Sequence, residues 1–373
     1  MPGSRKNRNG VLICGAYGHG NAGDEAILDA IVAELRSIDP AQPVTVLSRL
    51  PEETAARCNV QALHTFDLPA FFRVMGRAKL YINGGGSLIQ DVTSSRSLFY
   101  YLFTIWLAKR RGCRVMMYGC GVGPVNHPWN RRLAGRIIDR YTDAITLREP
   151  NSEDELRSWG VTKPEMILAS DPALSLTPAP DEEIDTFLRK QGLDPNGRYA
   201  AFCLRRWPGF WEKADSFAAA ARHIWESQGL EPVFLSINQR NDGEAADCVL
   251  KLLEDIPCHA VHDPLPAGLA IGLLSRMELV VSMRLHGLIF AAGCGTPLVG
   301  ISYDPKVTSF MEYIGQELCV PLEELTPELL CTLTDRAAAL SGDRPRLLEN
   351  ACRLRQIETR NAETAAQLLE KNV

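Results

Sequence analysis

The sequence lacks features that mark several common classes of protein. Basic residues are not in excess, because 45 acidic residues outnumber 40 lysines and arginines in a chain of 373 residues with formal net charge −5. This balance disfavours a nucleic-acid-binding role, which usually needs a broad positive field. The eleven cysteines include no C-x-x-C pair, so we expect buried free thiols in a reducing compartment, without a zinc site or disulfide framework. No G-x-S-x-G elbow surrounds Ser87 or Ser282, which disfavours a serine hydrolase.

Long hydrophobic runs are also missing. The aromatic and apolar stretch at residues 98–108 is about half as long as the roughly 20 residues that a transmembrane helix needs. We expect a buried helix on a sheet face; because the stretch is aromatic on all sides and ends in Lys109-Arg110-Arg111, a helix lying on a membrane surface is the alternative. The polar first ten residues lack the apolar centre of a secretory signal, so we expect a frayed tail and a cytoplasmic protein.

What the sequence does contain is a regular alternation of short apolar runs with helical patterns. This alternation is typical of βαβ units and predicts a parallel sheet in each half of the chain. The predicted strands are residues 11–14, 44–47, 80–83, 115–118, 144–147 and 166–168, followed by 199–204, 232–236, 259–261, 279–281 and 298–301.

A composition break divides this pattern into two parts. Because 373 residues exceed what one hydrophobic core usually supports, we predict an α/β protein with two doubly wound, Rossmann-like domains facing a cleft. The predicted parts are an amino-terminal domain at residues 1–176, a connector at 177–197, a second domain at 198–342, and a carboxyl-terminal helix at 343–373 that packs back on the first domain.

The segment Ser282-Met283-Arg284-Leu285-His286-Gly287 carries the most chemistry. It follows the apolar run 279–281, so Arg284 and His286 are predicted to lie at the carboxyl edge of a buried strand, where open α/β sheets bind ligands. Lys306 follows the next predicted strand. Guanidinium and ammonium groups bind carboxylate and phosphate, and an imidazole exchanges protons near neutral pH. The pattern predicts an anion site with a general acid or base; a purely structural histidine at a helix start is the alternative.

Arg205 is a weaker candidate for the same site. It follows the first predicted strand of the second domain, and Arg206 is its alternative because neighbouring side chains point to opposite sides.

Three glycine-rich loops follow predicted strands of the first domain, at residues 14–28, 83–91 and 118–124. Backbone N–H groups between adjacent glycines can bind oxyanions or sugar hydroxyls, and three such loops favour a shared floor over isolated tight turns. The first loop formally matches a dinucleotide-binding fingerprint, but Asp24 and Glu25 would compete with a pyrophosphate at the helix start. We expect Asp24 to cap that helix and the loop to approach a neutral polyol or the donor; a structural turn is the alternative.

Several motifs, taken in order, resemble the polysaccharide pyruvyl transferases, and most closely the bacterial ketal-pyruvyltransferases of secondary cell-wall polymers. The likeness runs from about residue 11 to 320. The motifs are Gly20-Asn21-Ala22-Gly23-Asp24-Glu25-Ala26, Asn83-Gly84-Gly85-Gly86, Gly119-Cys120-Gly121-Val122-Gly123-Pro124, Leu147-Arg148-Glu149, Ser170-Asp171-Pro172-Ala173, Arg284-Leu285-His286-Gly287 and Tyr303-Asp304-Pro305-Lys306.

The resemblance implies a GT-B-like fold and transfer of pyruvate from phosphoenolpyruvate, with no metal or other cofactor. The implied product is a 4,6-ketal on N-acetylmannosamine of a lipid-diphosphate-linked disaccharide, which serves cell-wall polysaccharide biosynthesis and anchors surface-layer proteins. His286, Arg284 and Lys306 are then the expected catalytic residues, and Arg205, Arg284, Lys306 and Gly287 the expected donor-binding residues.

The expected acceptor-binding residues lie in the first half of the chain. They are His19, Asn21, Asp24, Gly85, Gly86, Arg148 and Asp171. For Arg148 and Asp171 an inter-domain salt bridge is the alternative. A lipid-linked acceptor would also give residues 98–107 a purpose, namely to hold the enzyme at the cytoplasmic leaflet of the membrane.

Two other functions stay open at this point. A nucleotide-sugar-dependent GT-B glycosyltransferase would use Arg284 and Lys306 to bind a diphosphate. A non-catalytic glycan-binding or scaffold protein would need no catalytic histidine.

Overall fold

The computed structural model describes residues 8–92 and 94–370, so most of the expected frayed tail lies outside the described residues. The chain divides into two compact units. Unit 1 comprises the residues up to His19, Asp24–Ser175 and the residues from Arg355 onward, and unit 2 comprises Gly20–Gly23 and Leu176–Leu354.

The described residues alternate between strands and helices along the chain. In chain order the strands are β1 (Gly10–Cys14), β2 (Val44–Ser48), β3 (Gln61–His64), β4 (Ala78–Ile89), β5 (Arg114–Val122), β6 (Ala144–Leu147), β7 (Glu165–Leu168), β8 (Tyr199–Cys203), β9 (Glu231–Leu235), β10 (His259–Val261), β11 (Leu279–Ser282), β12 (Leu298–Ser302) and β13 (Cys319–Pro321). The helices are α1 (Ala22–Ile38), α2 (Pro51–Cys58), α3 (Leu68–Met75), α4 (Ser95–Arg110), α5 (Pro128–Tyr141), α6 (Asn151–Ser158), α7 (Asp181–Lys190), α8 (Ala214–Gln228), α9 (Gln239–Leu250), α10 (Ala267–Ser275), α11 (Leu285–Gly293), α12 (Pro305–Tyr313), α13 (Pro327–Ala339), α14 (Arg344–Glu358) and α15 (Arg360–Glu370).

Each unit contains one parallel sheet. In unit 1 seven strands lie in the order β3-β2-β1-β4-β5-β6-β7, and in unit 2 six strands lie in the order β10-β9-β8-β11-β12-β13. In both sheets the strand order reverses next to the first strand of the unit, as in doubly wound folds. The sheets confirm the predicted two-domain, Rossmann-like α/β fold.

The central strands are continuous apolar runs because helices cover both faces of a parallel sheet. Val11, Leu12, Ile13 and Cys14 of β1 are all buried, for example. The sequence did not predict β3 or β13. Both are edge strands, and in β3 no residue is buried, so neither shows the continuous apolar run that marks a central strand.

The segment expected to connect the domains contains α7, which packs within unit 2. The N–H of Ala179 donates to the carbonyl of Gly268 at 2.8 Å, and Gly272 of α10 leaves room for Ile184. A Cβ atom at Gly272 would lie only 2.4 Å from Cδ1 of Ile184.

The carboxyl-terminal helix α15 packs within unit 1. Arg360 Nη1 donates to the carbonyl of Leu168 at 2.8 Å, and Asn361 Nδ2 donates to the carbonyl of Ser170 at 3.1 Å. The last turn of α14 also belongs to unit 1, because the boundary between the units falls after Leu354.

Helix α4 buries one face and exposes the other, and aromatic residues occur on both faces, as the sequence suggested. Leu98, Tyr101, Leu102, Ile105 and Ala108 are buried in the core of unit 1, whereas other aromatic side chains of the same helix reach solvent. Phe99 and Phe103 are 38% and 41% exposed.

The cysteines also differ in part from the expectation. All eleven are free thiols, but only Cys14, Cys113, Cys120 and Cys203 are buried. Of the helices in the described ranges, none combines the length and the apolar character needed to cross a bilayer.

Candidate functional site

The predicted cationic residues of unit 2 lie together at the carboxyl edge of its sheet. Ser282 pairs with Cys203 on one side and with Gly300 on the other, so β8, β11 and β12 end at similar levels. Arg205 follows β8 and Arg284 follows β11, which places both at the point where the strand order reverses. This is the position at which doubly wound sheets bind ligands.

Arg284 is held by a carboxylate that the sequence did not single out. It immediately precedes α11 and is 8% exposed. Its Nε donates to Asp242 Oδ1 at 2.8 Å and to Oδ2 at 3.0 Å, and its Nη2 also donates to Oδ1. Asp242 is 1% exposed and lies in the first turn of α9. Burial raises the pKa of Asp242, while Arg284 and, to a smaller extent, Arg205 oppose the shift.

A bidentate contact fixes the plane of the guanidinium. Within residues 8–92 and 94–370, no group accepts a hydrogen bond from Nη1 of Arg284, so one nitrogen stays available for an anion.

Arg205 and Lys306 meet at Tyr303. The Arg205 guanidinium lies 4.9 Å from the centre of the Tyr303 ring and 4.7 Å from that of Trp207, and its Nη1 donates to Tyr303 Oη at 2.5 Å. Lys306 Nζ lies 5.5 Å from the same Tyr303 ring and 3.0 Å from Asp304 Oδ2. Aromatic faces attract cations, so Tyr303 brings two of the three predicted cations to one place.

His286 lies in the first turn of α11, beside a segment from the first glycine-rich loop. The imidazole is 8% exposed, and its ring centre is 5.8 Å from that of Phe290. A Cβ atom at Gly23 would lie 2.0 Å from His286 Nδ1, so only glycine allows the backbone this close to the imidazole.

The segment Gly20–Gly23 belongs to unit 2, which the sequence did not suggest. Asn21 forms an antiparallel bridge with Asn238, and the N–H of Ala22 donates to the carbonyl of Ile237 at 2.9 Å. Asn21 Oδ1 accepts from the N–H of Gly23 at 3.2 Å, at the start of α1. Asn21 therefore fills the capping position expected for Asp24, which lies inside the first turn.

Gly287 has a packing role that the sequence did not reveal. A Cβ atom there would lie 2.5 Å from Ser282 Oγ and 3.1 Å from Cys203 Cβ. The glycine thus lets α11 lie directly on the ends of β8 and β11. This packing positions His286 and Arg284, the residue just before the helix.

Arg148 and Asp171, expected to contact the acceptor, form a buried ion-pair network inside unit 1. Arg148 donates to Glu149 Oε2 at 2.7 Å, to Asp171 Oδ2 at 3.2 Å and to Ser87 Oγ at 2.9 Å. For Arg148, the inter-domain salt bridge considered as an alternative is wrong, because its carboxylate partners Glu149 and Asp171 both belong to unit 1. Burial opposes the charge of Arg148, but the two carboxylates outweigh it and raise its pKa. All its hydrogen-bonding nitrogens thus have structural partners.

The remaining acceptor candidates of unit 1 follow β1 or belong to β4 and α1. His19 is exposed and Asp24 is half-buried. Gly85 has a φ of +41°, and a Cβ atom there would lie 2.0 Å from Ile27 Cγ2, so this glycine allows close packing of β4 on α1. A Cβ atom at Gly86 would lie 3.3 Å from Asp24 Oδ1.

Asn83, immediately before these glycines, is a residue that sequence reasoning passed over as part of a loop. Its side chain is fully buried, and among the described residues neither its Nδ2 nor its Oδ1 has a hydrogen-bonding partner. Such groups are rare in folded proteins. The signal that could have found it is an amide side chain at the end of a buried strand.

The cluster in unit 2 can bind a small polyanion and offer it a proton-transferring group. Arg205, Arg284 and Lys306 supply the positive charge, and His286 supplies the imidazole. No set of three or more histidine, cysteine or carboxylate side chains suited to a metal ion occurs in the described ranges.

Comparisons with known proteins agree with this architecture. The chain is similar to the UDP-GlcNAc 2-epimerase from Neisseria meningitidis bound to UDP-GlcNAc, with a TM-score of 0.66 and 12% identity over 97% of this chain and 100% of that chain. It is similar to Anabaena HepE in complex with UDP-glucose, with a TM-score of 0.63 and 12% identity over 96% and 99%. A glycosyltransferase from Rickettsia africae gives a TM-score of 0.62 and 11% identity over 97% and 99%. Likeness at this level of identity shows the fold, which is GT-B-like.

The family is shown by the sequence itself. The model of the family described as polysaccharide pyruvyl transferase matches residues 21–305. This match covers well over half of the chain and includes the second and third glycine-rich loops, Arg205, Arg284 and His286. The protein therefore belongs to the polysaccharide pyruvyl transferases, enzymes that transfer pyruvate.

Proposed function

We propose that this enzyme transfers the pyruvyl group of phosphoenolpyruvate to two hydroxyl groups of one sugar and forms a cyclic ketal. The observation that carries the proposal is the cluster of Arg205, Arg284 and Lys306 at one edge of the sheet of unit 2, with His286 in the first turn of the helix that follows Arg284. Phosphoenolpyruvate carries a phosphate and a carboxylate, and the cluster offers separate cations for these two groups.

The guanidinium of Arg284 suits the carboxylate of the donor. Asp242 fixes its plane through a bidentate contact, so Nη1 projects in one direction without a large loss of side-chain entropy on binding. Arg205 and Lys306, positioned on the Tyr303 ring, suit the phosphate, because they place two further cations beside one aromatic face.

The reaction requires one proton to reach the methylene carbon of the donor. Protonation turns that carbon into a methyl group and makes the neighbouring carbon electrophilic, so the first sugar hydroxyl attacks it. The bond to the phosphate oxygen breaks, and the second hydroxyl closes the ring. Of the two hydroxyl protons, one ends in the methyl group and the other leaves with phosphate.

His286 is the proposed general acid and base for these transfers. Its imidazole follows β11 at the sheet edge where the cations lie. General acids and bases typically contribute about 10²–10⁴-fold to the rate. The approach of Gly23 limits the positions of the ring, since a side chain at residue 23 would overlap it.

The acceptor in this proposal is a hexose or N-acetylhexosamine of a cell-wall polysaccharide precursor. A glycan acceptor follows from the family. The 4,6-ketal on N-acetylmannosamine, the lipid-diphosphate linkage and the anchoring of surface-layer proteins extend the proposal by the resemblance of the motifs.

The test combines a coupled phosphate assay with mass spectrometry of the glycan. Phosphoenolpyruvate should release phosphate only in the presence of synthetic lipid-diphosphate disaccharides, and the product should gain the mass of pyruvate less one water. Transfer of a sugar from a nucleotide sugar, with no reaction of phosphoenolpyruvate, would overturn the proposal.

The role of His286 is tested with a matched pair of variants. We expect His286→Gln to lower kcat by about 10²-fold or more. The control is His223→Gln, because His223 lies on α8 and pairs with Asp335 at 2.8 Å on the surface. Equal turnover by both variants would remove His286 from the chemistry.

A further inference from the structure

Unit 1 has an exposed groove lined by aromatic and apolar side chains. We call it the aromatic groove: Phe99, Phe103 and Trp106 of α4 line one side, and Trp129, Leu133 and Ile137 of α5 line the other. Its volume is about 360 Å³. Trp129 is 63% exposed, although large aromatic side chains are usually mostly buried.

The groove has a defined internal geometry. The rings of Phe99 and Trp129 meet edge to face with centres 5.9 Å apart, which joins the two helices. The rings of Phe103 and Trp106 are 5.8 Å apart along α4. The exposed aromatic residues therefore form one continuous patch, and patches of this kind mark interaction sites.

The charge around the groove is strongly positive. Helices α4 and α5 contain seven basic residues and one acidic residue, in a chain whose formal net charge is −5. The acidic residue, Asp139, is engaged elsewhere: it accepts from the N–H groups of Thr162 and Lys163 at 2.8 Å and 2.9 Å. Little negative charge thus offsets the arginines next to the groove.

Three of these arginines line one side of α5. Arg132, Arg136 and Arg140 follow each other at intervals of four residues and are exposed. In the part of the chain that the structure describes, none of the three forms an ion pair. On α4, Arg96 and Arg110 lie in line with the exposed aromatic residues, and Arg110 stacks at 5.9 Å on Trp106.

This combination fits the surface of a lipid bilayer. Tryptophan and phenylalanine side chains enter the boundary between headgroups and acyl chains, and arginines beside them bind anionic headgroups. A second copy of the chain fits less well, because a symmetric contact would bring the same arginines against each other.

We propose that the aromatic groove and its arginines dock the enzyme on a membrane that contains anionic phospholipids. The inference rests on the surface of unit 1 and does not depend on the proposed reaction. It places the contact on two helices, whereas the sequence pointed only to residues 98–107.

Flotation of the full chain with vesicles tests the proposal. We expect binding to vesicles of phosphatidylcholine with about 30% phosphatidylglycerol, and weaker binding at high salt. Phosphatidylcholine alone should bind at least about tenfold less protein. Failure of the wild type to float with the anionic vesicles would overturn the proposal, as would equal binding to both compositions.

The arginines are tested by charge reversal. Arg132→Glu/Arg136→Glu should lower the bound fraction more than about tenfold, since each cation near an anionic surface contributes substantially to binding. The control is Arg189→Glu/Arg346→Glu, which reverses two exposed arginines outside the groove, with side chains 65% and 71% exposed. Equal binding by the two double variants would contradict the role of the arginines.

The aromatic residues are tested by Trp129→Ser/Phe103→Ser against Trp211→Ser. Trp211 is 47% exposed and lies in unit 2, so its loss should leave binding unchanged. The groove variant should lose binding while its circular dichroism spectrum stays that of the wild type. Wild-type binding by the groove variant would contradict the docking surface. A second result would also contradict it: the wild type fails to bind vesicles, and sedimentation shows a wild-type dimer that the groove variant does not form.

Discussion

A buried pair of carboxyl groups makes the stability of unit 1 depend on pH. Glu358, at the end of α14, is 2% exposed and shares a hydrogen bond with Glu34 of α1. Tyr118 Oη donates to Glu34, and Asn361 Nδ2 donates to Glu358 Oε1 at 3.1 Å. Burial, with the neighbouring Glu34 as a second cause, raises the pKa of Glu358 from 4.5 to about 9.

The direction of the effect follows from which state holds the proton. Between about pH 4.5 and pH 9 folded Glu358 keeps its proton and unfolded Glu358 has lost it, so stability falls as the pH rises. The slope is about 1.4 kcal/mol per pH unit for one group. Between about pH 6 and pH 8 the free energy of unfolding of unit 1 should therefore fall by about 3 kcal/mol.

Glu358→Gln removes this dependence. Glutamine keeps an oxygen for Asn361 and a donor for Glu34 but takes up no proton, so we expect the variant to be more stable than the wild type at about pH 8. Glu363→Gln is the control, because Glu363 is exposed on α15.

Hydrogen exchange of the α15 amides is the appropriate assay, since a two-unit chain need not unfold in a single transition. The protection free energy should fall by about 3 kcal/mol between about pH 6 and pH 8 in the wild type and in Glu363→Gln, and by much less in Glu358→Gln. If the protection free energy falls by the same amount in all three proteins, the proton that Glu358 keeps in the folded state is not the cause of the pH dependence.

Three further predictions concern the site and its support. Tyr303→Leu removes the ring beneath two cations, so KM for phosphoenolpyruvate should rise about tenfold. The KM of Tyr303→Phe should lie between those of the wild type and Tyr303→Leu. Unchanged steady-state kinetics in Tyr303→Leu would contradict this prediction. Gly287→Ala should cost about 1–3 kcal/mol in thermal unfolding because its Cβ meets Ser282 Oγ, and Ser282→Ala should restore part of the loss. Arg148→Met leaves Glu149 buried without its cation and should cost about 3–5 kcal/mol at neutral pH, whereas wild-type stability would show that the network is dispensable.

The site of unit 2 shows how far sequence reasoning reaches. Arg205, Arg284 and Lys306 could be predicted because each follows an apolar strand, and the ends of parallel strands meet at one edge. Asp242 could not, because it lies in a polar helix 42 positions before its partner in the chain. Its one sequence signal is an acidic residue soon after the end of β9.

The sequence by itself determined the α/β alternation, the family and the strand ends that carry the cations, because each depends on residues close together in the chain. Only the tertiary structure decided that Asn21 and Gly23 pack in unit 2, with Gly23 beside His286, and that Trp129 completes a groove with α4. It also decided that Arg148 is satisfied inside unit 1. The physical reason is that such contacts join residues far apart in the chain, and their formation depends on strand order and helix packing, which no local pattern records.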